Sequence, residues 1–208
     1  MQVLVFNGWA AGPEAWDLCT FSHDWLFDYN EQLDGLPEKV LSESDGAILV
    51  GFSMGGSGAL RMALKYPEKV RGLVLVSATP CMMEVKASGW RGMSERRLQA
   101  LKLGTQLVFR NDPSPIYRED NLDRGLDYLV TTDLRAALQN IRFPQSFPVA
   151  IFQSERDGIV RPNNAAFLKR IFPQAEVTYV PGNEHVLPLT VPEMIDAAVF
   201  DIIAANED

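Results

Sequence analysis

Cysteine and histidine are both scarce in this chain. Its 208 residues hold two cysteines, Cys19 and Cys81, and two histidines, His23 and His185. Two thiols make no disulfide framework in a chain this long, which fits a reducing cytoplasm. There is no CxxC pair, so no His/Cys metal site and no cofactor is expected. Long hydrophobic runs are also missing. "QVLVF" and "GLVLV" are strand-sized, far short of the roughly 20 residues of a membrane span. The first residues, "MQVLVFNGWAAGPEAW", carry no basic segment followed by a long apolar one, so no secretory signal is expected. Positive charge is the minority sign: 19 Lys and Arg stand against 27 Asp and Glu, a net charge of −8. That argues against a general nucleic-acid binder. No internal repeat and no low-complexity tract is visible.

What is present reads as a globular protein. The chain is 47% hydrophobic and 22% charged, and its length suits one domain with a sizeable core. A monomer is expected, although no residue pattern fixes the oligomeric state. Strand and helix signals alternate. "QVLVF", "DWLFDYN", "GAILVGF", "RGLVLVSA", "FPVAIFQSE" and "AEVTYVPG" read as strands. Helices are expected near Pro13, over about 38–44, in "GSGALRMALKYP", in "NNAAFLKRIFP" and in "VPEMIDAAVFDIIAAN". Alternation of this kind predicts an α/β protein with a mostly parallel sheet. In such sheets ligands gather at the carboxyl ends of the strands. The segment 81–130 breaks the alternation. It is expected to be a helical lid inserted into a core formed by 1–80 and 131–208.

Gly51-Phe52-Ser53-Met54-Gly55 matches G-x-S-x-G. By composition alone about one chain in ten of this length would carry such a match, so context decides. The motif directly follows a buried strand and directly precedes a helix. That is the setting a nucleophile elbow requires. The glycines leave room for the turn, and the serine sits where helix N–H groups favour negative charge. The plainer alternative is a glycine-rich turn capped by Ser53.

A serine hydroxyl needs a base to take its proton. His185 follows the last strand, in "VPGNEHVLPL". Asp157 follows the strand before it, in "AIFQSERDGIV". The order Ser53, Asp157, His185 is that of α/β-hydrolases, and all three residues fall at strand ends. Taken alone, Asp157-Gly158 is a good turn dipeptide and His185 could be a capping or core histidine. Glu155 and Glu184 are nearby carboxylates that sit less well, and His23 is expected to be solvated or packed. The oxyanion needs two donors: the N–H of Met54, next after the nucleophile, and the N–H of Trp9 in the loop "FNGWAAG". The Trp9 side chain could also wall an acyl pocket.

With these residues in place, the chain resembles the α/β-hydrolase superfamily over nearly its whole length. Within it, the chain is similar to the pimeloyl-[acyl-carrier protein] methyl ester esterases of biotin synthesis. "NGWAAGPEAW" resembles their oxyanion segment, and "LVGFSMGGSGALRMALKYPEKVRGLVLVSATPC" their elbow and next strand. "LDYLVTTDLRAALQNIRFP" resembles the end of their lid. "DGIVRPNNAAFL" and "EHVLPLTVPEMI" resemble their acid and histidine segments. The resemblance implies a serine carboxylesterase acting on the methyl ester of a pimeloyl chain held by an acyl carrier protein. Ser53 would be nucleophile, His185 base and acid, Asp157 its orienter, and Trp9 and Met54 the oxyanion donors. The chain departs from the pattern in the oxyanion loop. Asn7 stands where the family usually has histidine, and Ala10 where it usually has glycine.

Charge placement suggests the same partner. Residues 81–130 hold eight basic residues (Lys86, Arg91, Arg96, Arg97, Lys102, Arg110, Arg118, Arg124) against seven acidic, and the remainder eleven against twenty. Acyl carrier proteins are acidic and bear a phosphate-linked arm, which arginine suits. The plainer alternative is the solvated charged face that a helical lid usually has. Two other functions stay open: a general carboxylesterase or thioesterase of small esters, and a non-catalytic α/β-hydrolase scaffold that only binds.

Overall fold

The structure, a computed structural model, describes residues 1–81 and 119–207. Six apolar runs become strands: β1 Gln2–Phe6, β2 Trp25–Phe27, β3 Ala47–Phe52, β4 Val70–Val76, β5 Val149–Ser154 and β6 Glu176–Val180. They form one sheet in the order β2-β1-β3-β4-β5-β6, and every pairing is parallel. Parallel neighbours need crossover connections, and the crossover helices cover both faces of the sheet. Seven α-helices are described: α1 Tyr29–Asp34, α2 Leu36–Glu43, α3 Met54–Lys65, α4 Glu119–Thr131, α5 Arg135–Asn140, α6 Asn163–Ile171 and α7 Pro192–Ala204.

The two-residue period of the strands splits the core. Leu4, Phe6, Leu49, Leu73 and Ile151 face one way, onto residues of α2, α3, α5 and α6. Val3, Val5, Ile48, Val50 and Val74 face the other way, onto α7 and the loop after β1. β3 and β5 are therefore buried at every position. The chain runs from β1 outward to β2 and then back past β1 to β3. The strand order thus reverses between β1 and β3, where α/β sheets open a crevice. Phe6 lies beside Gly51 in that pairing, so the loops after β1 and β3 emerge side by side.

The segment "DWLFDYN", expected as one strand, pairs only as far as Phe27. Asp28 then starts α1. Its carboxylate accepts from the Glu31 N–H at 2.9 Å, and Glu31 Oε2 accepts from the Asp28 N–H at 2.9 Å. This reciprocal capping satisfies two donors that a helix start leaves open, and it outweighs extension of a short edge strand. The "TTDLRAALQN" stretch, given no element of its own in the sequence reading, contains α5.

Of the insertion expected at 81–130, residues 82–118 lie outside the described residues. Seven of its eight basic residues fall there. The eighth, Arg124, lies on α4 and pairs with Asp34 at 2.7 Å. Among the described residues no helix is long and apolar enough to cross a membrane.

Candidate active site

The turn after β3 is built by the absence of side chains. A Cβ on Gly51 would lie 2.7 Å from the Gly55 carbonyl oxygen and from Gly56 Cα, and one on Gly55 would fall into the carbonyl of Phe6. Only glycine lets α3 start this close to β1 and β3. Ser53 itself sits at φ 53°, ψ −117°, a conformation that L-residues avoid unless their surroundings impose it. Its N–H is held by the Val76 carbonyl at 2.9 Å, and its own carbonyl accepts from Gly56 N–H at 3.0 Å. The hydroxyl is thereby displayed at the start of α3, off the carboxyl edge of the sheet.

The three residues singled out in the sequence meet there. His185 Nε2 lies 2.9 Å from Ser53 Oγ, and His185 Nδ1 lies 2.7 Å from Asp157 Oδ2. The Asp157 side chain is fully buried and that of His185 nearly so. Asp157 Oδ1 accepts from the N–H groups of Ile159 at 2.8 Å and Val160 at 3.0 Å. Those bonds orient the carboxylate and leave Oδ2 for the imidazole. The Phe52 ring packs on the His185 ring with centroids 5.3 Å apart. Glu155, Glu184 and His23 are exposed. His23 meets the edge of Phe21 at 6.3 Å. No cluster of three or more His, Cys, Asp or Glu suited to a metal is present among the described residues, and Cys19 and Cys81 form no disulfide.

Four further residues brace this arrangement, and the sequence reading did not assign them. Asn7 follows β1 and is 1% exposed. Its Nδ2 donates to the carbonyls of Ala11 at 2.8 Å and Gly12 at 2.7 Å, and its Oδ1 accepts from Gly8 N–H at 3.0 Å and Trp16 Nε1 at 3.3 Å. One buried amide thus ties the whole loop carrying Trp9. Ser77, at the end of β4 with φ 45°, donates its hydroxyl to the His185 carbonyl at 2.8 Å. Ser154, at the end of β5, donates to the neighbouring Glu184 carbonyl. Gln153 Nε2 donates to the Val160 carbonyl at 2.9 Å and approaches Asp157 Oδ2 at 3.4 Å. The only sequence signal was the Asn7-Gly8 turn dipeptide.

Trp9 lies in the loop after β1 and Met54 follows β3, and both are buried. Met54 is the first residue of α3, and the first N–H groups of a helix have no partner within it. The side chains of Trp9, Met54, Tyr29 and Leu129 form one small apolar cluster. A Cβ on Gly125 would lie 2.5 Å from Trp9 Cδ1 and 2.9 Å from Tyr29 Cδ2, so α4 is pressed against that wall. Tyr128 of the same helix lies under Arg61 at 5.7 Å, and burial pushes its hydroxyl pKa up. The arrangement as a whole is a hydroxyl, an imidazole and a buried carboxylate in line, beside helix-start N–H groups and an apolar wall. It can take a proton from the hydroxyl and stabilise an anion formed next to it.

Comparison with known proteins agrees with this fold. A family model described as the alpha/beta hydrolase fold matches residues 26–103. The pimeloyl-[acyl-carrier protein] methyl ester esterase of Yersinia enterocolitica is 32% identical over 196 residues, covering 81% of this chain and 74% of that protein. The protein of the same name from Nitrosomonas europaea is 26% identical, covering 97% and 95%. Among solved structures, a thermophilic esterase superposes with a TM-score of 0.71 at 19% identity, covering 98% of this chain and 90% of that one. An alpha/beta hydrolase enzyme from a Medee basin deep-sea metagenome library gives a TM-score of 0.72 at 20% identity, covering 97% and 88%. The chain has the α/β-hydrolase fold and belongs to the family of the pimeloyl-[acyl-carrier protein] methyl ester esterases.

Proposed function

We propose that the chain is a serine carboxylesterase whose catalytic triad is Ser53, His185 and Asp157. Its substrate on this reading is the methyl ester of a pimeloyl chain carried by an acyl carrier protein, hydrolysed in the cytoplasm on the way to biotin. The observation that carries the triad is the unbroken line of contacts from Ser53 Oγ through His185 to Asp157 on an elbow that only glycines allow. The substrate rests on the names of the relatives.

His185 Nε2 takes the Ser53 proton as Oγ attacks the ester carbonyl. The oxyanion of the tetrahedral intermediate is held by the N–H groups of Met54 and Trp9. The bond to methoxide breaks, and methanol leaves with the proton from His185. Water, deprotonated by His185, then attacks the acyl-enzyme, and Ser53 recovers its proton as the carboxylate product departs. Asp157 holds the ring with Nδ1 protonated and stabilises the imidazolium. No cofactor or metal takes part. The side chain of Trp9 lines the acyl site.

The test is methanol release from pimeloyl-carrier-protein methyl ester by the wild type beside Ser53→Ala. Release that depends on Ser53 supports the reading. A protein that ignores this substrate yet cleaves a nitrophenyl ester through Ser53 would be a serine esterase of small esters. Normal activity in Ser53→Ala would remove the triad.

A further inference from the structure

Charge on this chain is segregated. Residues 134–154 and 158–175 contain five basic residues, Arg135, Arg142, Arg161, Lys169 and Arg170, and no acidic one, although acidic residues outnumber basic 27 to 19 in the whole chain. These two segments carry α5 and α6, which pack on the same face of the sheet. Two concavities lie between the helices, of about 560 Å³ and 550 Å³. Arg170, Phe167 and Gln139 line both, so the two join into one groove. Arg135 stands at the first and Arg142 at the second.

The cations there are unevenly neutralised, and Asp133 also lines the first concavity. Arg135 is paired with Asp133 at 2.7 Å. Arg142 donates to the backbone carbonyls of Gln139 and Ile141, and Lys169 to those of Pro173 and Ala175. Arg170 lies over the Phe167 ring at 5.6 Å. No carboxylate among the described residues pairs with Arg142, Lys169 or Arg170. Clustered guanidinium groups along a half-apolar trough suit carboxylates and phosphates.

One end of the groove lies near the proposed catalytic serine. Asn164, in its wall, accepts the Thr79 hydroxyl at 2.9 Å, and the Thr79 carbonyl accepts the Ser57 hydroxyl at 2.6 Å. Ser57 is one helical turn from Ser53, so the Asn164 end of the groove lies roughly 20 Å at most from the nucleophile. A flexible arm can bridge that span.

We propose that the groove between α5 and α6 docks an acidic segment of the carrier protein that delivers the ester. The inference rests on the reading of the substrate as carrier-borne. It adds the surface that holds the partner while the acyl arm reaches Ser53.

The experiment compares three full-length proteins: wild type, the groove variant Arg142→Glu/Arg170→Glu, and a control variant Lys39→Glu/Lys65→Glu. The four substituted side chains are all exposed, and both variants change the net charge equally. Binding of the acylated carrier protein is measured at low salt, with turnover of the carrier-bound methyl ester and of a nitrophenyl ester alongside. The groove variant should bind the carrier about tenfold more weakly and show a KM raised to match, with kcat and nitrophenyl ester turnover unchanged. The control should shift about twofold at most, from net charge alone. Equal behaviour of the two variants would overturn the docking surface while leaving the esterase reading intact. A wild type that neither binds nor hydrolyses the carrier-borne ester would overturn both.

Discussion

Ser53 gains its reactivity from position. Its backbone is held in a conformation that costs on the order of 1–3 kcal/mol, and the surrounding glycine turn and two backbone hydrogen bonds keep it there. Ser53→Ala should therefore fold normally and lose turnover by about a millionfold, by analogy with other serine hydrolases; kcat and thermal melting measured together check this. Asp157→Asn should lower kcat on the order of ten-thousandfold with KM little changed, because an amide favours the wrong imidazole tautomer. Steady-state kinetics on a nitrophenyl ester would show it. Cys19 behaves in the opposite sense. Burial first, and then the nearby charges of Asp196 and Glu193, push its thiol up to about 12. A thiol with its pKa that high is almost wholly protonated at pH 8. Iodoacetamide at that pH should leave Cys19 unmodified in the native protein and alkylate it after unfolding, as mass spectrometry would read out.

At the scale of elements, the geometry depends on how strand ends hold loops. Ser77 just after β4 and Ser154 at the end of β5 donate to two consecutive carbonyls, those of His185 and Glu184. Removing both hydroxyls by Ser77→Ala/Ser154→Ala should let the histidine loop shift. Kcat should then fall on the order of ten- to a hundredfold with KM nearly constant, since displacements of about 1 Å cost that much. Unchanged kcat in the double variant would show that the loop is held by other contacts. The start of α5 is pinned by acid chemistry. The side-chain hydrogen bond from Arg135 first, against an opposing cost of burial, holds Asp133 down at about 2, below its ordinary 3.8. A carboxyl lowered on folding contributes stability that is full above its unfolded value and fades as pH falls through the folded one. The melting difference between wild type and Asp133→Asn should therefore be present above pH 4 and vanish towards pH 2. Asp133 is exposed at the surface, so the difference should be small.

For the whole molecule, the uneven charge has a consequence beyond single contacts. An acidic chain repels an acidic partner except where its own acids are absent, and such fields are screened over about 10 Å at 0.1 M salt. Turnover of the carrier-borne ester should fall as salt rises from 0.05 to 0.5 M, by lower kcat/KM, while turnover of a neutral nitrophenyl ester should stay within about twofold. Parallel slopes for both substrates would mean that salt acts on the chemistry and not on encounter.

The sequence by itself determined the local rules of this protein. A buried strand, a glycine-spaced serine and a helix follow one another within the stretch 47–65, so the elbow could be read without knowing what surrounds it. The same holds for the alternation that gives a parallel sheet, since two-sided burial writes near-continuous apolar runs such as those of β3 and β5. Even the start of α1 was written locally, in the reciprocal pair Asp28 and Glu31, though the reading extended the strand across it. Tertiary structure alone decided how the site is braced. Ser77 reaches a carbonyl 108 residues away and Ser154 one 30 residues away, and backbone carbonyls leave no mark in residue type. Asn7 satisfies four groups of its own loop only because the loop folds back on it. The groove between α5 and α6 likewise exists only once two segments, separated in sequence by β5, pack on one face of the sheet. Spacing along the chain encodes contacts a few residues apart, whereas contacts across the sheet follow from strand order, which no short stretch contains.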